Sequence, residues 1–207
     1  MKLAFSTLGC PEWSWDDIVS SASDLGYGGV EIRGVGHELY APAIPEFSAG
    51  RIGGTKERLK SLGLSIPCLA SSCVLGAKAG YDAALAQARA YIATASALGA
   101  EFVRVLCEPT ASPESKVDAA LVAKALAELG KCAQDQGVTV LLETNGWYAD
   151  SGRLESLFAQ IEAPGLGILW DIHHPYRFFG ELPKLTAGRI GRWVKYVHVK
   201  DSILEGG

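Results

Sequence analysis

The stretch Gly137-Val138-Thr139-Val140-Leu141-Leu142-Glu143-Thr144-Asn145 decides how the chain is read. Apart from Thr139 it is apolar from Val138 to Leu142, without the in–out alternation of a half-exposed strand. A short continuous run of this kind fits a parallel strand covered on both faces. Upstream, Val122, Ala125, Leu126, Leu129 and Cys132 repeat at three- and four-residue steps, which gives a helix one apolar stripe. Gly137 then supplies the left-handed cap on which such a helix ends. The unit is a sheet-covering helix, a glycine, a buried strand and a carboxylate at the strand's end.

The same unit recurs on both sides. Ser14 is the expected N-cap of the first helix, with Asp17 in its first turn. That helix ends near Gly26, before the strand Gly29-Val30-Glu31-Ile32. Gly63, Gly99 and Gly165 precede strands expected over 64–69, 101–106 and 167–171, and a last helix ending near Arg192 precedes one over 194–199. Leu85, Ala88, Ile92 and Ala95 form a second helical stripe. With Lys2-Leu3-Ala4-Phe5 as the first strand, there are seven strands and six helical connections. Strands begin about every 30 residues, the repeat of a βα unit. The expected fold is α/β, a TIM (β/α)8-type barrel formed as a single domain over residues 1–207. A closed barrel takes about 250 residues, so the reading is a barrel that stops after strand seven, without its final βα unit. A doubly wound sheet would open on a Gly-rich phosphate turn. Ser6-Thr7-Leu8-Gly9-Cys10-Pro11 has none, and Gly34-Val35-Gly36 is an isolated pair.

Composition narrows the function. Hydrophobic residues make up 48% and charged residues 20% of the chain, the balance of a soluble globular protein. The net charge is -4 with no run of Lys and Arg, so no nucleic-acid footprint is visible. A small neutral or weakly charged substrate fits better. Five cysteines, an odd number without Cys-x-x-Cys spacing, read as reduced thiols, and Cys68 and Cys107 as small core residues. The first residues are apolar for too short a span to form a signal peptide, and no segment approaches the roughly 20 apolar residues of a membrane helix. The expectation is a cytoplasmic protein with no membrane contact; a homo-oligomer is left open.

The polar residues gather at the C-terminal ends of the strands, the pole that carries the active site in parallel barrels. Ser6, Glu31, Glu143 and Asp171 end strands one, two, five and six, and His198 lies near the end of strand seven. Burying one carboxylate costs several kcal/mol unless it is paired or bound to a metal. Glu143, Asp171 and His198 are therefore read as a set around one divalent cation, Mn2+, Mg2+, Co2+ or Zn2+. Taken singly, each has a structural alternative. Glu143 would form a buried salt bridge to Arg104 or Lys200, Asp171 would cap the next turn, and His198 would be a core histidine. Lys200 would pair with Asp201 or Glu143.

Trp170-Asp171-Ile172-His173-His174-Pro175 resembles the Asp-x-x-His strand end of the xylose isomerase-like TIM barrels. Val197-His198-Val199-Lys200-Asp201 looks like their His-x-Lys-Asp segment, Glu143-Thr144-Asn145 like their Glu-x-Asn segment, and Gly28-Gly29-Val30-Glu31-Ile32-Arg33 like their second strand. The four matches lie in the right order through nearly the whole chain. The resemblance implies metal ligands at Glu143, Asp171 and His198, with His174 near the substrate. It also implies a fourth ligand, a Glu at the end of strand eight, which the reading finds nowhere before residue 207.

The implied activity is that of a metal-dependent sugar or sugar phosphate isomerase or epimerase, working by proton transfer through an enediolate with Glu143 as catalytic base. Glu31, His174, Lys200 and Trp147 are the expected substrate-binding residues, on a sugar or polyol. Trp13, Trp15 and Tyr148 are further candidates for the pocket wall, with plain packing favoured for Trp15. His37 reads as a surface residue and Glu108 as a turn residue. The alternatives are an inosose dehydratase-like lyase and an inactive or truncated sugar-binding remnant. An abasic-site endonuclease fits less well, given four histidines and an acidic chain.

Overall fold

The computed structural model describes residues 2–113, 117–161 and 163–202. Helices and strands alternate as the sequence predicts. The order is β1 (Ala4–Ser6), α1 (Trp15–Asp24), β2 (Gly29–Glu31), α2 (Ile52–Ser61), β3 (Cys68–Val74), α3 (Tyr81–Leu98), β4 (Phe102–Leu106) and α4 (Ala119–Asp135). Then come β5 (Thr139–Glu143), α5 (Ser151–Phe158), β6 (Leu166–Asp171), α6 (His173–Phe179), α7 (Pro183–Ile190) and β7 (Val194–His198). Strands β3 to β7 form one sheet in chain order, and β1 pairs with β2. Every ladder is parallel. Bridges Gly29↔Ser65 and Ile32↔Leu69 join the pair to the sheet, so the order runs from β1 through β7 without a crossover. Among the described residues no ladder joins β7 to β1, and the barrel is open between them.

Burial follows the hydrophobic pattern. β2 is fully buried, and β4 and β5 are buried after their first residue, as strands covered on both faces must be. β7, at the sheet's edge, instead alternates, with Val197 exposed. Leu85, Ala88, Ile92 and Ala95 on α3 and Val122, Ala125, Leu126 and Leu129 on α4 all lie in the core. Cys132 is only half-buried, and Ala133 takes the inward place. Ser14 caps α1 in a reciprocal box with Asp17, each backbone amide 3.2 Å from the other's side-chain oxygen. Gly99 and Gly137 end their helices with positive φ (77° and 69°).

Two expectations need correction. The third strand does not run over 64–69. Ser65 bridges to Gly29, but Pro67 has no N–H to give the ladder, so the regular strand begins at Cys68 and continues to Val74. The connection from β6 to β7 is two helices rather than one. Gly180 adopts the left-handed conformation (φ 65°) and closes α6, and Pro183 opens α7.

Gly165 tests the close packing of α4 on the sheet. A Cβ there would sit on the carbonyl oxygen of Gly130 and 2.9 Å from the amide nitrogen of Gln134, both on the backbone of α4. Gly165→Ala is expected to cost about 2–3 kcal/mol and to lower Tm by about 5–10 °C in a thermal melt. An unchanged Tm contradicts this packing.

Candidate metal centre and active site

Parallel strands point the same way, so β2, β5, β6 and β7 deliver Glu31, Glu143, Asp171 and His198 to one pole. Ligand atoms of Glu143, Asp171 and His198 lie within 4.8 Å of one another. Asp171 is fully buried and Glu143 nearly so, while His198 is partly open. Two hard oxygen donors and one imidazole nitrogen suit a divalent cation, and three protein ligands leave room for substrate or water.

The surrounding bonds orient each donor. Asp171 Oδ1 accepts the amides of His173 (3.0 Å) and His174 (3.2 Å), which leaves Oδ2 to face the site. Asp171 thus caps the turn with one oxygen and turns the other toward Glu143 and His198. Thr144 Oγ1 accepts the Asp171 amide (2.9 Å) and donates to the Asp171 carbonyl (3.0 Å), locking the ends of β5 and β6 together. His198 Nε2 donates to Glu31 Oε2 at 2.7 Å, so in the neutral ring Nδ1 keeps its lone pair. Nδ1 is the nitrogen that faces Glu143, 4.0 Å from Oε1. Glu143 Oε2 faces the other way, 3.4 Å from Arg104 Nε.

His174 Nδ1 donates to the Thr144 carbonyl at 2.8 Å. That fixes the tautomer and makes Nε2 the acceptor for the Lys200 ammonium at 2.6 Å. Lys200 Nζ also stands 2.8 Å from Asp171 Oδ2. Its partners are thus Asp171 and His174, and neither Asp201 nor Glu143, because His174 rises from the helix that begins beside Asp171.

Ionisation follows this wiring. Burial would raise the pKa of Glu31, but the hydrogen bond and charge of His198 outweigh it and hold the carboxyl below its ordinary range. Burial would lower His198, yet Glu31, helped by Glu143, raises it. His174 is lowered, chiefly by burial and further by Lys200, against the pull of Asp171 and Glu143. It is a neutral imidazole at neutral pH.

The outer candidates fall in different places. Trp147 is half-buried, with one ring face covered by the Arg153 guanidinium 3.7 Å from its centroid. Trp15 and Tyr148 are buried, Trp15 edge-on to Phe47. Trp13 is exposed, as is His37. Glu108 is no open turn residue. It is 1% exposed and accepts the Trp147 amide, while Asn145 Nδ2 donates to its carbonyl at 2.9 Å. Sequence reasoning missed the Glu31–His198 pair and the Thr144 latch, whereas the Arg104–Glu143 ion pair it offered as an alternative is present. For Arg104 a signal existed: a lone cation inside the apolar run Phe102-Val103-Arg104-Val105-Leu106. The free cysteines are buried except Cys132, and burial raises the Cys68 thiol well above its ordinary pKa, which makes it inert.

The xylose isomerase-like TIM barrel family model matches residues 19–206. The chain belongs to that family. No curated protein matches the sequence of this xylose isomerase-like chain. Solved structures show the same fold at low identity. A xylose isomerase-like TIM barrel protein from Mycobacterium smegmatis in complex with magnesium superposes with TM-score 0.76 at 16% identity, over 96% of this chain and 74% of that one. The probable 3-DHS dehydratase AsbF from Bacillus anthracis gives 0.76 at 17%, over 96% and 72%. D-psicose 3-epimerase from Clostridium cellulolyticum H10, solved with D-tagatose, gives 0.76 at 14%, over 96% and 72%. Members of the xylose isomerase-like fold thus include an epimerase and a probable dehydratase. No helix among the described residues is long and apolar enough to cross a membrane.

Proposed function

We propose that this chain is a divalent-metal-dependent sugar or sugar phosphate isomerase or epimerase, with Glu143, Asp171 and His198 holding the ion. The observation that carries the reading is the meeting of these three donors within 4.8 Å at the C-terminal pole. The magnesium in the M. smegmatis relative makes magnesium, with manganese, the first ion to test. A bound divalent cation would supply Lewis-acid stabilisation of negative charge on substrate oxygens. Glu143 takes the proton from the carbon next to the carbonyl, with Arg104 Nε 3.4 Å from its Oε2. Lys200, anchored on His174 Nε2, hands hydrogen bonds to the substrate's oxygens. Glu31 acts through His198, which it orients, rather than on the substrate. Trp147 and its loop wall the pocket. Reduced cysteines support a cytoplasmic setting.

The test is solvent exchange. With magnesium or manganese in D2O, ketoses such as D-psicose or D-tagatose are expected to gain deuterium next to the carbonyl, and chelation is expected to stop it. No exchange with any ketose or ketose phosphate contradicts the proposal, as does exchange that ignores chelation. A dehydratase reading is favoured by the Lys200–His174 pair, which is placed to give a proton to a leaving hydroxyl. Conjugated-enone absorbance in the same assay identifies it.

Metal affinity is expected to fall as pH drops. His198 must offer an unprotonated nitrogen, and its raised pKa means protons compete from a higher pH than the ordinary value of about 6.5. Manganese titrations across pH check this; a pH-independent affinity contradicts it.

A further inference from the structure

The side chain of Arg104 is a buried charge short of hydrogen-bond partners. The residue is 8% exposed, and its Nε–H is buried without a hydrogen bond. The contact with Glu143 Oε2 at 3.4 Å is an ion pair that is not aligned for a hydrogen bond. Among the described residues the guanidinium makes no hydrogen bond at all. Its Nε lies 3.4 Å from Oε2 of Glu143, a member of the candidate ligand cluster, so the side chain reaches the site pole. A buried guanidinium carries five donors in a planar fork, and leaving them unmet is costly.

Charge points the same way. Arg33, two residues past Glu31, is half-buried, held by Ser72 Oγ at 2.7 Å and close enough to Arg104 to feel its charge. Glu143 and Asp171 face Arg104 and Lys200, Glu31 is paired with His198, and Arg33 adds a third fixed cation, so three carboxylates meet three cations besides the imidazole. A divalent cation therefore leaves this pole with surplus positive charge. Neutral sugars do not answer that surplus; an oxyanion does.

We propose that Arg104, with Arg33 behind it, is a specificity residue that binds a carboxylate on the substrate, and that the substrate class is a short polyhydroxy carboxylic acid. The guanidinium fork matches a planar carboxylate in two parallel hydrogen bonds, which a hydroxyl cannot reproduce. Glu143 touches both Arg104 and the ligand cluster, so a carboxylate held by Arg104 stands within a few carbon atoms of the ion. The inference rests on the metal-site reading above and narrows its substrate from sugars in general to sugar acids.

Calorimetric titration of the whole chain with saturating magnesium tests it. The probes are D-gluconate, its neutral counterpart D-glucitol, and D-glucitol 6-phosphate. Gluconate is expected to bind roughly 10- to 100-fold more tightly than glucitol, and Arg104→Gln to bring the ratio of the two affinities to about one. Arg104→Lys keeps the charge but not the fork and is expected to lose most of the preference; it serves if Arg104→Gln does not fold. Equal binding of gluconate and glucitol, a preference that survives in the variants, or an Arg104-dependent preference for the phosphate overturns the proposal. Calorimetry reads recognition and not turnover. Equal binding of gluconate and glucitol by the unaltered chain, alongside intact metal-dependent deuterium exchange, sinks this inference alone.

Discussion

Glu143→Gln is expected to slow deuterium exchange into the substrate by about 10²–10⁴-fold, the usual contribution of a positioned base. The substitution keeps shape and removes the charge. Glu143 is 5% exposed, with one oxygen 4.0 Å from His198 Nδ1 and the other 3.4 Å from Arg104. The variant therefore also weakens a metal ligand and leaves Arg104 with less compensation. Measuring exchange at saturating metal separates the two losses: affinity is restored by more metal, and the base is not. A circular-dichroism spectrum equal to that of the unaltered chain confirms that the barrel persists. Exchange at an undiminished rate would reject Glu143 as the base.

The second large effect is at Glu31. Glu31→Gln is expected to lower divalent-metal affinity about 10- to 100-fold, although Glu31 does not belong to the ligand cluster. The carboxylate can only accept from His198 Nε2, and this keeps the Nδ1 lone pair toward Glu143. A glutamine amide can donate to Nε2 instead, which moves the ring proton to Nδ1 and spoils the ligand. The variant also removes the main force raising His198, so proton competition for the metal should begin at lower pH. His198 is raised by folding, so its contribution is complete below about pH 6.5 and is lost as pH rises through the higher folded value. Glu31 is lowered, so its contribution is present above about pH 4.3 and is lost as pH falls through the folded value. The pair stabilises most between those limits, roughly pH 4.5–6.5, and the variant should lose most stability there. Manganese titration and melts across pH read both effects; affinity equal to the unaltered chain's would contradict the assignment of Glu31 to His198.

The strand ends were legible because glycines and helical stripes bracket each apolar run. Once β5 is placed, Glu143 must fall at its C-terminal end, and parallel pairing carries Asp171 and His198 to the same pole. Partners across the barrel were not legible. Glu31 and His198 are 167 residues apart and meet only because the sheet curls round. Lys200 turned to Asp171 and His174 because α6 starts directly at the end of β6, a junction where Asp171 Oδ1 accepts the amides of His173 and His174. The misplaced start of β3 has a local cause, the missing N–H of Pro67.

A crystal grown with manganese and measured at an anomalous wavelength tests the metal centre most directly. The account predicts a single strong peak bonded to Glu143, Asp171 and His198, with Glu31 still on the far nitrogen of the imidazole. A manganese ion bound elsewhere, or a site where Lys200 keeps Asp171 while the ion is refused, would contradict it.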